Sequence, residues 1–437
     1  MKNQEMKWYF IIAVFLAVLM VGIATDVKAA KKIKIGVIGP MKYLVGEHQW
    51  MGAQLAAEQI NKAGGIAVGS ERRMVELVKV DDNNLLSVSD AVSAIERAIT
   101  VDKVDFLTGG GRSEANLAQQ EVMAKYKKIF MNASSGAMQL SMRIAKNYDK
   151  YKYWFRVGMF NGKYTGGLIF ANVELVAKKI RKDLGIATPN VAIIAEKVMW
   201  PDAIIKAAKA QLPKMGMKLV GVWRPSASAT DTTSELTAIK NKRAHIIFTI
   251  GGGPVDTVWS VQYGELQIPA AMVGLSTDAL RSKFWKDSRG NCNYQLVMSY
   301  LADLPGKTFY KEYRERFNDD PIFHSLTYDA IYVVKEAIER CGTVESDAVV
   351  AELEKTDFQS FRGRIVFHPK DHATPHDLIW GPKYATGFGL QWQDGRLVPV
   401  LPRGDAVLGD ERWKGINYST AEYKLPPRMI KYWKSKK

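Results

Sequence analysis

Cysteine is scarce: two thiols in 437 residues cannot frame a disulfide scaffold. Short-period repeats and low-complexity linkers are missing, which excludes a solenoid and a disordered chain. Past residue 30 no apolar run approaches the roughly 20 residues of a spanning helix, so a multispan membrane protein is excluded. A glycine-rich stretch, Gly251-Gly252-Gly253-Pro254, lacks both dinucleotide spacing and a Walker lysine. It signals close backbone approach rather than a nucleotide site.

What is present is 47% hydrophobic, 24% charged and 10% aromatic, the make-up of a well-cored globular chain. At roughly 150 residues per domain, the length suggests two or three domains, with function in a cleft between them.

Residues 1–29 read as a secretory signal peptide. Lys2 and Lys7 lead, an apolar run extends from Trp8 to Ile23, and Val27-Lys28-Ala29 precede Ala30. Cleavage is expected near Ala29, with the mature chain in the periplasm. Its loss lowers the formal charge from +16 to +15. The basic residues are scattered except for Lys431, Lys434, Lys436 and Lys437. Diffuse charge on an exported protein argues against nucleic acid, and suits a solvated surface or the attraction of an anionic ligand. Export permits a bridge between Cys292 and Cys341, and their separation in sequence leaves bridged and free thiols equally open.

Strand and helix then alternate. The patterning predicts strands over 33–39, 74–80, 104–107 and 128–131, with helices over 52–63, 88–99 and 116–126 between them. The cadence restarts after Arg156: helices over 164–184, 203–215, 233–241 and 257–263, strands over 191–195, 219–223, 245–249 and 271–274. Helices over 309–317 and 325–340 follow, then a tail of turns and short strands from Arg364. The alternation implies α/β lobes with parallel sheets covered on both faces.

Two adjacent strand-end loops carry binding chemistry. Gly111-Arg112-Ser113-Glu114-Ala115 precedes a helix, where free backbone amides, a hydroxyl and a guanidinium all favour a carboxylate. The same turn imitates a nucleophile elbow but lacks the second glycine, leaving a serine hydrolase with a downstream histidine as a rival. Asn132-Ala133-Ser134-Ser135-Gly136-Ala137 ends the next strand with small side chains and hydroxyls, where ligands of parallel sheets bind. His368, His372 and His376 have a metal-ligand vocabulary, yet Pro369 and Pro375 prevent one helix face, so no metal is expected. No cofactor is expected either.

The opening strand Ile33-Lys34-Ile35-Gly36-Val37-Ile38-Gly39-Pro40 is followed by Gly46, Gly52, Ala53, Leu55, Ala56, Ala57, Ile60, Asn61, Gly64, Gly65 and Ile66, then Val80-Asp81-Asp82-Asn83. Together they resemble the periplasmic substrate-binding proteins of branched-chain amino acid type ABC transporters, over roughly residues 33–400. The resemblance implies a type I periplasmic binding protein fold: two doubly wound parallel-sheet lobes joined by three crossovers. It also implies a ligand in the cleft, hinge closure and delivery to an inner-membrane permease.

Carried onto this chain, the N-terminal lobe is expected at 31–157 plus 300–367 and the C-terminal lobe at 158–299 plus 368–437. The ligand carboxylate falls to Ser113 or its neighbour Arg112, and to Ala133, Ser134 and Ser135. The second lobe contributes Trp200, Gly252 and, where the family has an acid for the ammonium, Ser276 with Asp278 beside it. Tyr43 and Phe323 are expected apolar walls. The ligand is thus an apolar amino acid if Asp278 reaches the cleft, or an amine-free carboxylate if it does not. The expected function is a monomeric, non-catalytic solute-binding component of an importer. An extracytoplasmic sensor of the same fold ranks next, below it because no further spanning segment follows.

Overall fold

The computed structural model describes residues 31–407 and 409–436, so the expected leader lies outside the described residues. In chain order come β1 (Ile33–Gly39), a small hairpin of β2 (Ile66–Val68) and β3 (Glu71–Arg73), β4 (Val75–Asp81), β5 (Phe106–Gly109), β6 (Ile129–Asn132) and β7 (Trp154–Arg156). Next are β8 (Asn190–Ala195), β9 (Lys218–Trp223), β10 (Ile246–Gly251), β11 (Ala271–Ser276) and β12 (Leu296–Ser299). The last are β13 (Phe358–Ser360), β14 (Gly363–Ile365), β15 (Phe388–Gln393) and β16 (Arg396–Leu401).

The first sheet has the order β4-β1-β5-β6-β7 and is wholly parallel. The second has the order β16-β15-β12-β11-β10-β8-β9. Its strands from β9 to β12 are parallel, while β15 and β16 add an antiparallel edge. That edge pair, joined by the two-residue turn Asp394-Gly395, arises because the chain re-enters this sheet as a hairpin rather than through a helical crossover.

Helices cover both sheets, and the parallel strands bury near-continuous apolar runs. Every residue of β10 is buried, and Ile33, Ile35, Val37 and Ile38 of β1 are no more than 2% exposed. Helix Val88–Thr100 illustrates the local logic. Ser87 caps it by accepting from the Asp90 amide at 3.1 Å, and Ala91, Ile95, Ala98 and Ile99 form its buried stripe. Truncating Ile95 to alanine would cost about 2–5 kcal/mol.

The chain passes between the sheets three times: after β7, after β12 and before β15. The crossovers are tied by buried ion pairs. Arg362 Nε meets Asp329 at 3.0 Å, and Arg156 Nε meets Asp377 at 2.7 Å. The segment around His376 still hangs on the first sheet, its carbonyl accepting from the Arg156 amide at 3.0 Å.

In each sheet the chain order reverses once, between β1 and β5 in the first and between β8 and β10 in the second. Crevices beyond the carboxyl ends of strands at such reversals are where open parallel sheets take ligands. The site is therefore sought at the loops after β1, β5, β8 and β10.

Candidate functional site

The first-lobe rim is built from amides and hydroxyls. Gly109 and Gly110 have φ of 105° and 95°, and a Cβ on Gly109 would collide with the Ile38 carbonyl, so glycine is required where β5 turns. Helix Ser113–Lys125 then starts with Arg112 at its N-cap position and no side-chain cap, leaving its first amide hydrogens pointing outward. The hydroxyls of Ser113 and Ser135 lie 3.1 Å apart. Asn132 holds the second loop by accepting from the Ser135 amide at 2.9 Å, and Arg156 grips the carbonyls of Ser135 and Ala137 from beneath.

Other first-lobe candidates have different surroundings. The Ser134 hydroxyl is taken up by Gln49 Nε2 at 2.7 Å and His324 Nδ1 at 2.8 Å. Arg112 turns its guanidinium to the Leu85 carbonyl at 2.7 Å and to Glu114. Ala133 is fully buried, with its carbonyl accepting from the Met159 amide at 3.1 Å. Tyr43 precedes helix Leu44–Lys62 and is 43% exposed, whereas Phe323 is buried edge-on against Tyr300.

The second-lobe rim is acidic. Glu196 follows β8, and its Oε1 accepts from the Trp200 indole at 2.6 Å. Gly252 follows β10; a Cβ there would lie 3.2 Å from Glu196 Oε1, 3.6 Å from the Trp200 ring and 3.9 Å from Thr277 Oγ1. Three strand ends thus converge on one spot. The Ser276 hydroxyl faces inward, donating to Asp256 Oδ2 at 2.7 Å. Asp278 accepts from Thr257 at 3.1 Å and pairs with Arg281 at 3.3 Å. Burial raises the Glu196 carboxyl above its usual range, and burial together with the Asp278 charge raises Asp256 further.

The sequence reading named Trp200, Gly252, Ser276 and Asp278 but missed Glu196, Asp256 and Thr277. A lone acid after a strand has no local signature; only the strand order marks Glu196 as lying at a reversal. The histidines of the tail separate. His368 stacks on His372 at 3.8 Å, while His376 turns to Glu354 at 2.9 Å. Among the described residues no group of three or more metal-ligating side chains occurs. Cys292 and Cys341 are both free. No described helix is long and apolar enough to cross a membrane.

The family model described as periplasmic binding protein matches residues 32–380. A Leu/Ile/Val-binding protein homolog from Brucella melitensis is 23% identical over 420 residues, covering 91% of this chain and 97% of its own. Among solved structures, the branched-chain amino acid transporter substrate binding protein LivJ of Streptococcus pneumoniae, in complex with isoleucine, superposes with a TM-score of 0.68 at 21% identity. It covers 84% of this chain and 98% of its own. A solute binding protein of an ABC transporter from R. palustris, in complex with benzoate, also gives a TM-score of 0.68, at 14% identity and over 84% and 95% of the two chains. The doubly wound lobes, the polar strand-end loops and the family match over most of the chain lead to one assignment: this protein belongs to the periplasmic binding protein family.

Proposed function

We propose that this chain is the periplasmic solute-binding component of an ABC importer, capturing an apolar amino acid or related small carboxylate between its lobes. The observation that carries this reading is the pair of strand-order reversals, one per lobe, with polar loops of small residues at both. In this reading residues 1–29 direct export and are removed near Ala29. The ligand carboxylate sits on the first amides of helix Ser113–Lys125 and between the Ser113 and Ser135 hydroxyls, 3.1 Å apart. Tyr43 and Trp200, both partly exposed, wall the apolar part. In this reading the lobes are 31–157 with 300–367 and 158–299 with 368–437, and the contacts of His376 and Asp377 with β7 favour carrying the first lobe some residues beyond 367.

No catalytic step is assigned. The Ser113 hydroxyl meets Ser135 rather than an imidazole, so it lacks the base an acyl-transfer nucleophile needs. His324 does meet Ser134, but burial holds its pKa near 3 and it bonds no carboxylate that would orient it.

The test is mass spectrometry of the small molecule released when the purified mature protein is denatured, followed by calorimetric titration. A released amino acid or carboxylate that rebinds is expected, with Ser113→Ala/Ser135→Ala weakening it at least tenfold. A protein that binds neither class in titration overturns the reading.

A further inference from the structure

The basic residues are scattered along the sequence except at its end, yet the fold gathers several of them onto one face. Helix Pro427–Lys434 lies beyond the residues that the family model matches. It docks by its apolar side against the amino ends of β10 and β11. Met429 and Trp433 are buried, and the Trp433 indole donates to the Pro269 carbonyl at 2.7 Å. Arg428 donates to the Ile268 carbonyl at 3.1 Å, with its guanidinium 4.0 Å from the Tyr263 ring. That docking turns the lysines of the opposite side outward together.

A second segment meets the helix there. The His245 ring lies 4.2 Å from Trp433, and the Arg243 guanidinium lies 5.6 Å from the same ring. The Arg243 carbonyl accepts from Asn190 at 3.2 Å, and Asn190 pairs in register with Lys218. Lys218, Lys242, Arg243, Lys431, Lys434 and Lys436 therefore share one region. All six are exposed, and among the described residues none of them pairs with a carboxylate. Acids of the adjoining helices are engaged by other cations, Asp183 by Lys179 at 2.7 Å and Glu265 by Arg289 at 2.8 Å. Elsewhere on the surface cations are matched, as Arg316 is by Glu58 at 2.8 Å. Unmatched charges of one sign held together create a directed field.

We infer that this face is a docking surface for an anionic phospholipid bilayer. Charge complementarity selects an anionic partner, and the residue types select the lipid. All but one of the six are lysines, compact charges on flexible stems that suit mobile headgroup phosphates; the rigid fork of arginine suits the fixed anions of a folded acidic partner or a nucleic acid. Tyr432 stands among these lysines, 36% exposed, with the Lys436 ammonium 5.7 Å from its ring. Such an aromatic settles well at a headgroup layer. The face lies at the amino ends of β8, β9 and β10, whereas Glu196 and Gly252 follow the carboxyl ends of β8 and β10. A chain held this way keeps its strand-end loops free.

The test is co-sedimentation of the full mature chain with vesicles of phosphatidylcholine, alone or with about 30% phosphatidylglycerol, at about 0.1 M and about 0.5 M salt. Binding to the anionic vesicles is expected at the lower salt, with about a tenfold or greater loss at the higher salt and on neutral vesicles. Lys431→Glu/Lys434→Glu/Lys436→Glu should weaken it about tenfold or more, and Lys242→Glu/Arg243→Glu, on the other segment, should weaken it as well. Lys62→Glu/Lys146→Glu/Lys307→Glu reverses three dispersed, exposed lysines and imposes the same net charge as the tail variant. Its effect should stay below about threefold. No binding to anionic vesicles, or equal losses in the dispersed and clustered variants, overturns the inference. Capture by polyglutamate or duplex DNA without vesicle binding also overturns it, assigning the face to an acidic protein or a nucleic acid. Each of these results leaves the proposed function standing, since solute binding is measured without vesicles.

Discussion

The two lobes share a winding pattern but differ in the chemistry at their strand ends. The first-lobe rim is a neutral lattice of Asn116, Gln119, Asn132, Ser134 and Ser135. The buried acid Asp82 beside it is satisfied by Asn84 at 2.7 Å and Gln119 at 2.8 Å. The second-lobe rim gathers Glu196, Asp256 and Asp278, with Arg281 beside Asp278 and Arg224 on the Glu196 main-chain carbonyl. In a chain of net charge +16, this local reversal of sign shows that the mean charge says little about a cleft. Shared topology sets where the strand ends lie, while the side chains there set the chemistry that each lobe offers.

The contrast breaks hardest where the neutral rim is anchored. Arg156 is fully buried and holds Asp377, Ser135 and Ala137 together, with Asn161 donating to Asp377 at 2.9 Å. Arg156→Ala strands the Asp377 charge and should cost about 3–5 kcal/mol in urea unfolding. A loss below about 1 kcal/mol would mean that the loop holds itself.

A second lever is pH. Burial keeps His48 and His324 neutral, with pKa values near 4 and 3 against an ordinary 6.5. In the unfolded chain both take up protons below 6.5, so their stabilising contribution is fully present above that pH. It declines as pH falls towards 4. His324→Gln should reduce that decline by about 2 kcal/mol between pH 6.5 and 4.5. The same slope in both proteins would remove His324 as its source.

The acidic rim can be covered rather than neutralised. Gly252→Ala puts a methyl group beside Glu196 and Trp200 and should weaken ligand binding about tenfold with a thermal midpoint within a few degrees of the parent. Unaltered affinity would move the ligand away from β10. The smallest effect is expected at Arg112, which is one-third exposed and already paired. Arg112→Ala should change affinity less than fivefold; a hundredfold loss would show that its guanidinium leaves Glu114 for the ligand.

Much of this was legible before any coordinates. Strands 33–39 and 191–195 and helices 88–99 and 164–184 were read within two residues, because their apolar periodicity is strong and their ends carry caps or glycine. Helix Leu44–Lys62 begins eight residues before its expected start. Its first turns bury Gly46, His48 and Gln49, polar or side-chain-free positions that interrupt the apolar stripe. Those residues are buried for tertiary reasons: His48 bonds Tyr313 at 2.8 Å and Gln49 bonds Ser134, partners far away in sequence.

The sequence by itself determined the fold class, the doubled lobe plan and the loops that end the strands, since each depends on local periodicity and on glycine where the backbone must turn. Only the tertiary structure decided what the charged groups do there. Arg112 finds Glu114, Asp278 finds Arg281, and Glu196 finds an indole, with no cation pairing its carboxylate among the described residues. Charge pairing acts over a few ångströms of space, and strand order, which sequence spacing does not encode, decides which residues share that space.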